Sequence, residues 1–181
     1  MENFLTSAIV GGVVAAFLIY LKGATAKKIN ANEQGQFMLR MHVLYNIVGW
    51  VSLVISLIVV AGVFFLEAPD MLMYGLMLFM FLFFGGLGLL SVLYYRNLYV
   101  LFDDSRIEVR DIRGKVKVTT WQQIVSARYS VNSGLLLLTD DEGQKLKIHC
   151  QSVGMGKFVA FLEDKTEWTA AKLKLPVKRS V

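Results

Sequence analysis

The residues best suited to chemistry are few: His42, His149, a single cysteine at Cys150, and the acidic groups Asp103-Asp104 and Asp140-Asp141-Glu142. Nucleophilic catalysis needs a nucleophile, a base within hydrogen-bond reach and a group that orients the base. His149 and Cys150 are neighbours, but adjacent residues on a strand point to opposite faces, so the pair is set against forming a dyad. Two histidines and one cysteine without paired spacing do not make a zinc site. The acids fall at turns, where Asp bonds to nearby backbone, and not at positions that would oppose two carboxylates. Met71, Met73, Met77 and Met80 include the soft ligands that copper-type metals prefer. They are spread around a helix among Leu and Phe, however, which is the pattern of flexible apolar packing. The "GGLG" stretch lies in an apolar run and has neither P-loop nor dinucleotide spacing. No catalytic residue, cofactor or metal is therefore expected, and the chain does not read as an enzyme.

The elements that would hold any site are dominated by apolar runs. The chain is 55% hydrophobic and 18% charged, too apolar for an ordinary soluble domain. Three runs free of Asp, Glu, Lys and Arg, at about 4–21, 43–66 and 71–95, are long enough for membrane helices, which take roughly 20 residues to cross the hydrocarbon. In lipid the backbone must satisfy itself, so such runs are helical. The first run competes with a signal peptide, since "ATA" at 24–26 offers small residues for cleavage. Its leading Met-Glu-Asn lacks positive charge and its basic residues follow it, which favours a retained helix.

Basic flanks set the orientation. Lys22, Lys27, Lys28 and Arg40 lie between the first two runs and Arg96 closes the third, whereas the "EAPD" link carries acids and no base. The expected protein is multi-pass, with its amino terminus outside and its carboxyl-terminal domain in the cytoplasm. A lone cysteine agrees with a reducing compartment. On the first helix, Ser7, Gly11 and Ala15, and beside them Ala8, Gly12 and Ala16, form small-residue faces suited to close helix packing. Polar groups at depth are limited to Thr6, Ser7, Asn46, Ser52, Ser56 and Ser91. None is ionisable, so an ion pathway built from this chain alone is not expected.

The second half reads as strands. "NLYVLF" meets an Asp103-Asp104-Ser105 turn; "RIEVRDI" and "KVKVTTW" flank Arg113-Gly114; "IVSARYS", "LLLLT" and "QKLKIHC" are divided by Asn132-Ser133-Gly134 and by Asp140–Gly143. Alternation puts Ile107, Val109, Val116 and Val118 on a dry face, with Arg106, Glu108, Arg110, Lys115 and Lys117 on the wet one. After Gly154 and Gly156 the period becomes helical, with Phe158, Phe161, Leu162 and Trp168 on the apolar side.

Residues 97–165, through "YVLFDDSRIEVRD", "KVKVTTWQQI", "SGLLLLTDDEGQKLKIH" and "GMGKFVAFLE", resemble the bacterial pleckstrin-homology-like domains that follow short membrane anchors. The resemblance implies a seven-stranded, partly open antiparallel barrel capped by a helix, and brings no defined activity with it. The expected fold is thus an α+β membrane protein: a transmembrane anchor over 1–96, a cytoplasmic PH-like β-barrel with a carboxyl-terminal helix over 97–168, and a basic tail over 169–181.

Binding is argued from charge. Arg106, Arg110, Arg113, Lys115 and Lys117 face only Glu108 and Asp111 along one hairpin, and the tail adds Lys172 and Lys174. Eukaryotic pleckstrin-homology domains often grip phosphoinositides with the corresponding hairpin, but bacterial inner membranes generally lack those lipids, and a fold does not carry a function. What remains is attraction to an anionic leaflet, docking of a protein, or simple solubility and edge protection. Nucleic acid is not an expected partner, because no recognition helix or stacking platform accompanies the basic residues. The favoured expectation is a non-catalytic accessory or scaffolding subunit in the bacterial inner membrane, with membrane lipids and a protein partner or a second copy of itself around it. The alternatives are an anionic-lipid-sensing module and a minor transporter or channel component.

Overall fold

The computed structural model describes residues 29–65 and 70–177. The described residues divide into a β unit of 29–42, 99–111 and 115–177, and a helical unit drawn from 43–98 with 112–114.

In the helical unit, α1 spans Val43–Val63 and α2 spans Met71–Asn97. Asp70 caps α2 by accepting a 2.8 Å bond from the Met73 N–H, which satisfies one of the free donors of a helix start. The two helices pack through their smallest residues. A Cβ on Gly49 would stand 2.6 Å from Val92 Cγ2 and 2.9 Å from the Gly88 carbonyl, and one on Gly88 would stand 2.8 Å from the Gly49 carbonyl. Ser52 and Ser56 are buried in the same seam, and Ser56 Oγ donates to the Phe81 carbonyl (3.2 Å). Close backbone approach of this kind is the packing mode of helices in lipid. The rest of their surface is apolar and uncovered: only 17% and 11% of the most apolar window of each helix is buried. A core helix of a soluble protein would be mostly enclosed. Both helices are long and apolar enough to cross a membrane. The first expected span, with its small-residue faces at Ser7, Gly11, Ala15, Ala8, Gly12 and Ala16, lies outside the described residues.

Among the described residues the β unit holds seven strands in two antiparallel sheets. Strands β1 (Phe37–Arg40), β2 (Tyr99–Phe102), β3 (Arg106–Arg110) and β4 (Val116–Thr120) form one in sequential order; β5 (Ile124–Ser130), β6 (Leu135–Asp140) and β7 (Lys145–His149) form the other. Helix α3 (Met155–Lys165) and the short α4 (Ala170–Leu173) follow. One core is shared by both sheets and α3: Leu39, Val100, Phe102, Ile107, Leu136, Leu146, Ile148, Phe158 and Leu162 all belong to it. Trp121 sits in a single 3-10 turn between the sheets, edge-to-face with Phe102 and tilted against Phe158, with its ring N–H on the Asp103 carbonyl at 2.8 Å. Gly154 opens α3 with φ 87°, where any Cβ would also strike Ile29.

Three expectations change. The domain does not begin after the helices: β1 precedes them and pairs along its whole length with β2, so α1 and α2 form an insertion between two adjacent strands of one sheet. The boundary placed at residues 96 and 97 therefore cuts a unit that the sheet holds together. Val116 and Val118 are not on the dry face; each is 50% exposed. The connection Asp111–Lys115 has five residues, and this odd length pairs Val116 with Arg110 and Val118 with Glu108. Thr119 and Lys117 are thereby placed opposite Ile107 and Val109. Finally, Trp168 lies past the end of α3, although it still packs against the core.

Candidate functional site

Alternation along β1, β2 and β3 buries Leu39, Val100 and Val109. The residues beside them must face away from the core. Register carries Arg40, Tyr99, Arg110 and Val116 across that outer face in one row, and Met38, Leu101, Glu108 and Val118 in the next. The first row is the one nearest in sequence to the helical insertion: Arg40 is followed by Met41, His42 and then α1, and Tyr99 is separated from α2 by Leu98 alone.

Tyr99 is the centre of the polar network on this face. Its hydroxyl donates to Glu108 Oε1 at 2.8 Å, and the Arg110 guanidinium carbon lies 5.8 Å from its ring centroid, within cation–π range. The bond to Glu108 and, after it, burial raise the Tyr99 pKa, while Arg110 and Arg40 pull in the other direction. Arg110 Nε is buried and finds no acceptor among the described residues. Arg40 is exposed, with Nε 2.9 Å from Met38 Sδ.

The basic residues singled out by charge do not form one patch. Arg106 faces outward on β3 and pairs with Asp103 at 3.5 Å. Arg110 is in the Tyr99 row. Lys117 lies on the other side of β4, with Nζ donating to the Lys145 carbonyl (2.7 Å). Lys115 is exposed immediately before that strand, and Arg113 is exposed in the turn that groups with the helices. Lys172 and Lys174 sit at α4; Lys172 Nζ donates to the Glu167 carbonyl (2.9 Å), and Lys174 closes the helix at φ 53°. Arg40 and Tyr99 lie outside the hairpin that the charge count covers, Arg40 on a strand that precedes the helices and Tyr99 on the one that follows them. A signal for the first of these strands was present: an Asn32–Gly35 turn precedes Phe37 and Leu39, whose period-two spacing marks a strand.

The groups with chemical potential are placed as follows. Burial pushes the Cys150 thiol up to about 11, a weak backbone bond notwithstanding, and pulls the His149 imidazole below its ordinary value. A buried thiol with that ionisation is a packing group, not an activated nucleophile. Asp103 and Asp140 work as turn acceptors: Asp103 Oδ1 takes bonds from the Ser105 N–H (2.8 Å), Ser105 Oγ (2.7 Å) and the Arg106 N–H (2.9 Å), and Asp140 Oδ1 takes one from the Gln144 N–H (2.7 Å). Among the described residues no three His, Cys, Asp or Glu side chains gather as a metal site would require.

Comparison with protein-family models, curated proteins and solved structures gives no match to this chain.

Proposed function

We propose that the chain is a non-catalytic, multi-pass protein of the bacterial inner membrane, an accessory or scaffolding subunit whose cytoplasmic β unit docks a protein partner. In this reading the run at 4–21 adds a third span, the amino terminus is outside, and the two sheets are the walls of a PH-like barrel capped by α3. Both ends of the α1–α2 hairpin are joined to neighbouring strands, β1 and β2. A hairpin of that kind leaves and rejoins the same side of a bilayer. The basic flanks support the cytoplasm as that side.

The observation that carries the docking function is the second outer row of the four-stranded sheet. Met38 and Leu101 are half-buried and Val118 is half-exposed on a face turned away from the core. The one charge among them, Glu108, is occupied by the Tyr99 hydroxyl. Apolar side chains held on a rigid sheet, beside a carboxylate already engaged by a hydrogen bond, suit the centre of a protein interface. Gentle extraction of the full chain from its own membranes, followed by the mass of the intact particle, tests this. A companion protein at fixed stoichiometry is expected, and Val118→Lys is expected to release it while leaving the chain in the membrane. A bare monomer or a homo-oligomer, or a companion indifferent to Val118→Lys, would contradict the reading.

A further inference from the structure

We propose that Arg40, Tyr99 and Arg110 form a site for the phosphate of an anionic phospholipid headgroup. The site lies wholly within the β unit, and its assignment rests on the reading of α1 and α2 as a membrane hairpin. Val43 is three residue steps along the chain from Arg40, and Tyr99 is two steps from Asn97. At about 3.6 Å per residue these tethers reach no further than roughly 11 Å and 7 Å. The headgroup layer on each side of the hydrocarbon is about 6 Å deep. Residues this few steps from the ends of membrane helices belong to the interfacial stretch of the sequence, where Tyr is enriched and Arg reaches outward from an apolar stem.

The local chemistry matches an oxyanion. Two arginines stand on either side of one tyrosine in a row fixed by backbone pairing, with the Arg110 guanidinium against the Tyr99 ring. Glu108, the acid beside them, already accepts the Tyr99 hydroxyl. Arg110 is held against the Tyr99 ring, with one buried donor lacking an acceptor. Arg side chains present planar donors that match phosphate. Val116, at the end of the same row and half-exposed, gives the headgroup region an apolar edge.

The test uses the full chain, reconstituted in bilayers of phosphatidylcholine with and without phosphatidylglycerol, and reads retained phospholipid by mass spectrometry of the released particle. The parent is expected to retain phosphatidylglycerol in preference to phosphatidylcholine. Arg40→Gln and Arg110→Gln are each expected to weaken retention about five-fold, from the roughly 1 kcal/mol that each basic side chain near an anionic leaflet contributes. Arg128→Gln, an exposed arginine on the other sheet, should leave it unchanged. Arg110→Lys, which keeps the charge, should recover part of the loss and shows that the fold survives a change at this position. Equal retention of both lipids by the parent, or undiminished retention by the Arg40→Gln/Arg110→Gln chain, would overturn the site. Displacement of bound lipid by inorganic phosphate alone would make it a soluble-anion site and overturn the lipid assignment. Resistance of the same chains to alkaline extraction is read separately: its loss in the parent would remove the membrane reading itself, whereas its persistence with no lipid preference would remove only this site.

Discussion

Asp103 illustrates how an acidic residue that invites a catalytic reading is instead committed to structure. Burial tends to raise its pKa, yet bonds from Ser105, the Arg106 N–H and Gln36 outweigh that and bring the carboxyl down to about 2 from its ordinary 3.8. A carboxyl with a depressed folded value adds stability that is complete above the unfolded value and is lost as pH falls toward the folded one. The window here runs from about pH 4 down to about pH 2. Asp103→Ala removes the turn's acceptors and leaves the Ser105 and Arg106 N–H groups to water, so it is expected to lower stability at neutral pH by about 1–2 kcal/mol. The variant should also lose less stability across that acid window than the parent. Thermal melts of the full chain in detergent at several pH values measure both effects; parallel pH profiles in the two chains would contradict the role given to Asp103.

At the scale of elements, the close crossing of α1 and α2 makes a sharp demand on residue size. Gly49 and Gly88 each face the other's carbonyl, so an added methyl meets backbone that cannot turn aside. Gly49→Ala is expected to cost about 1–3 kcal/mol through overpacking and to lower the melting temperature in detergent. Gly75→Ala and Gly86→Ala meet nothing within 4 Å and are expected to be tolerated; equal effects at all three positions would contradict the seam. The sequence made these two helices legible because length and uncharged composition are strong signals in lipid. The strands after Tyr99 were legible as well, through turn residues such as Gly114, Gly134 and Gly143, all at positive φ. Two features were not. Strand β1 is four residues long and its partner follows after the whole hairpin, so pairing of Leu39 with Val100 leaves no local trace. The exposure of Val116 and Val118 depends on the parity of one connection, which alternation within a strand does not encode. Those two features together supply the outer face, which is why a charge count along the hairpin found Arg110 but passed over Arg40 and Tyr99.

For the molecule as a whole, the insertion of a helical hairpin between paired strands ties the β unit to the hairpin at two points rather than one. A domain on a single linker has one covalent tether to its anchor; a sheet whose neighbouring strands each continue into a helix has two. The central claim is therefore that α1–α2 crosses the membrane and returns while β1 and β7 remain on one side. It is tested most directly with a membrane-impermeant thiol reagent on sealed vesicles of known orientation, using single cysteines in a Cys150→Ser chain. Gln34→Cys, before β1, and Lys147→Cys, in β7, are both exposed, as is Met71→Cys at the start of α2. The expected result is labelling of Gln34→Cys and Lys147→Cys from the cytoplasmic face only and of Met71→Cys from the opposite face only. Labelling of all three from one face, or of Gln34→Cys and Lys147→Cys from different faces, would contradict the account.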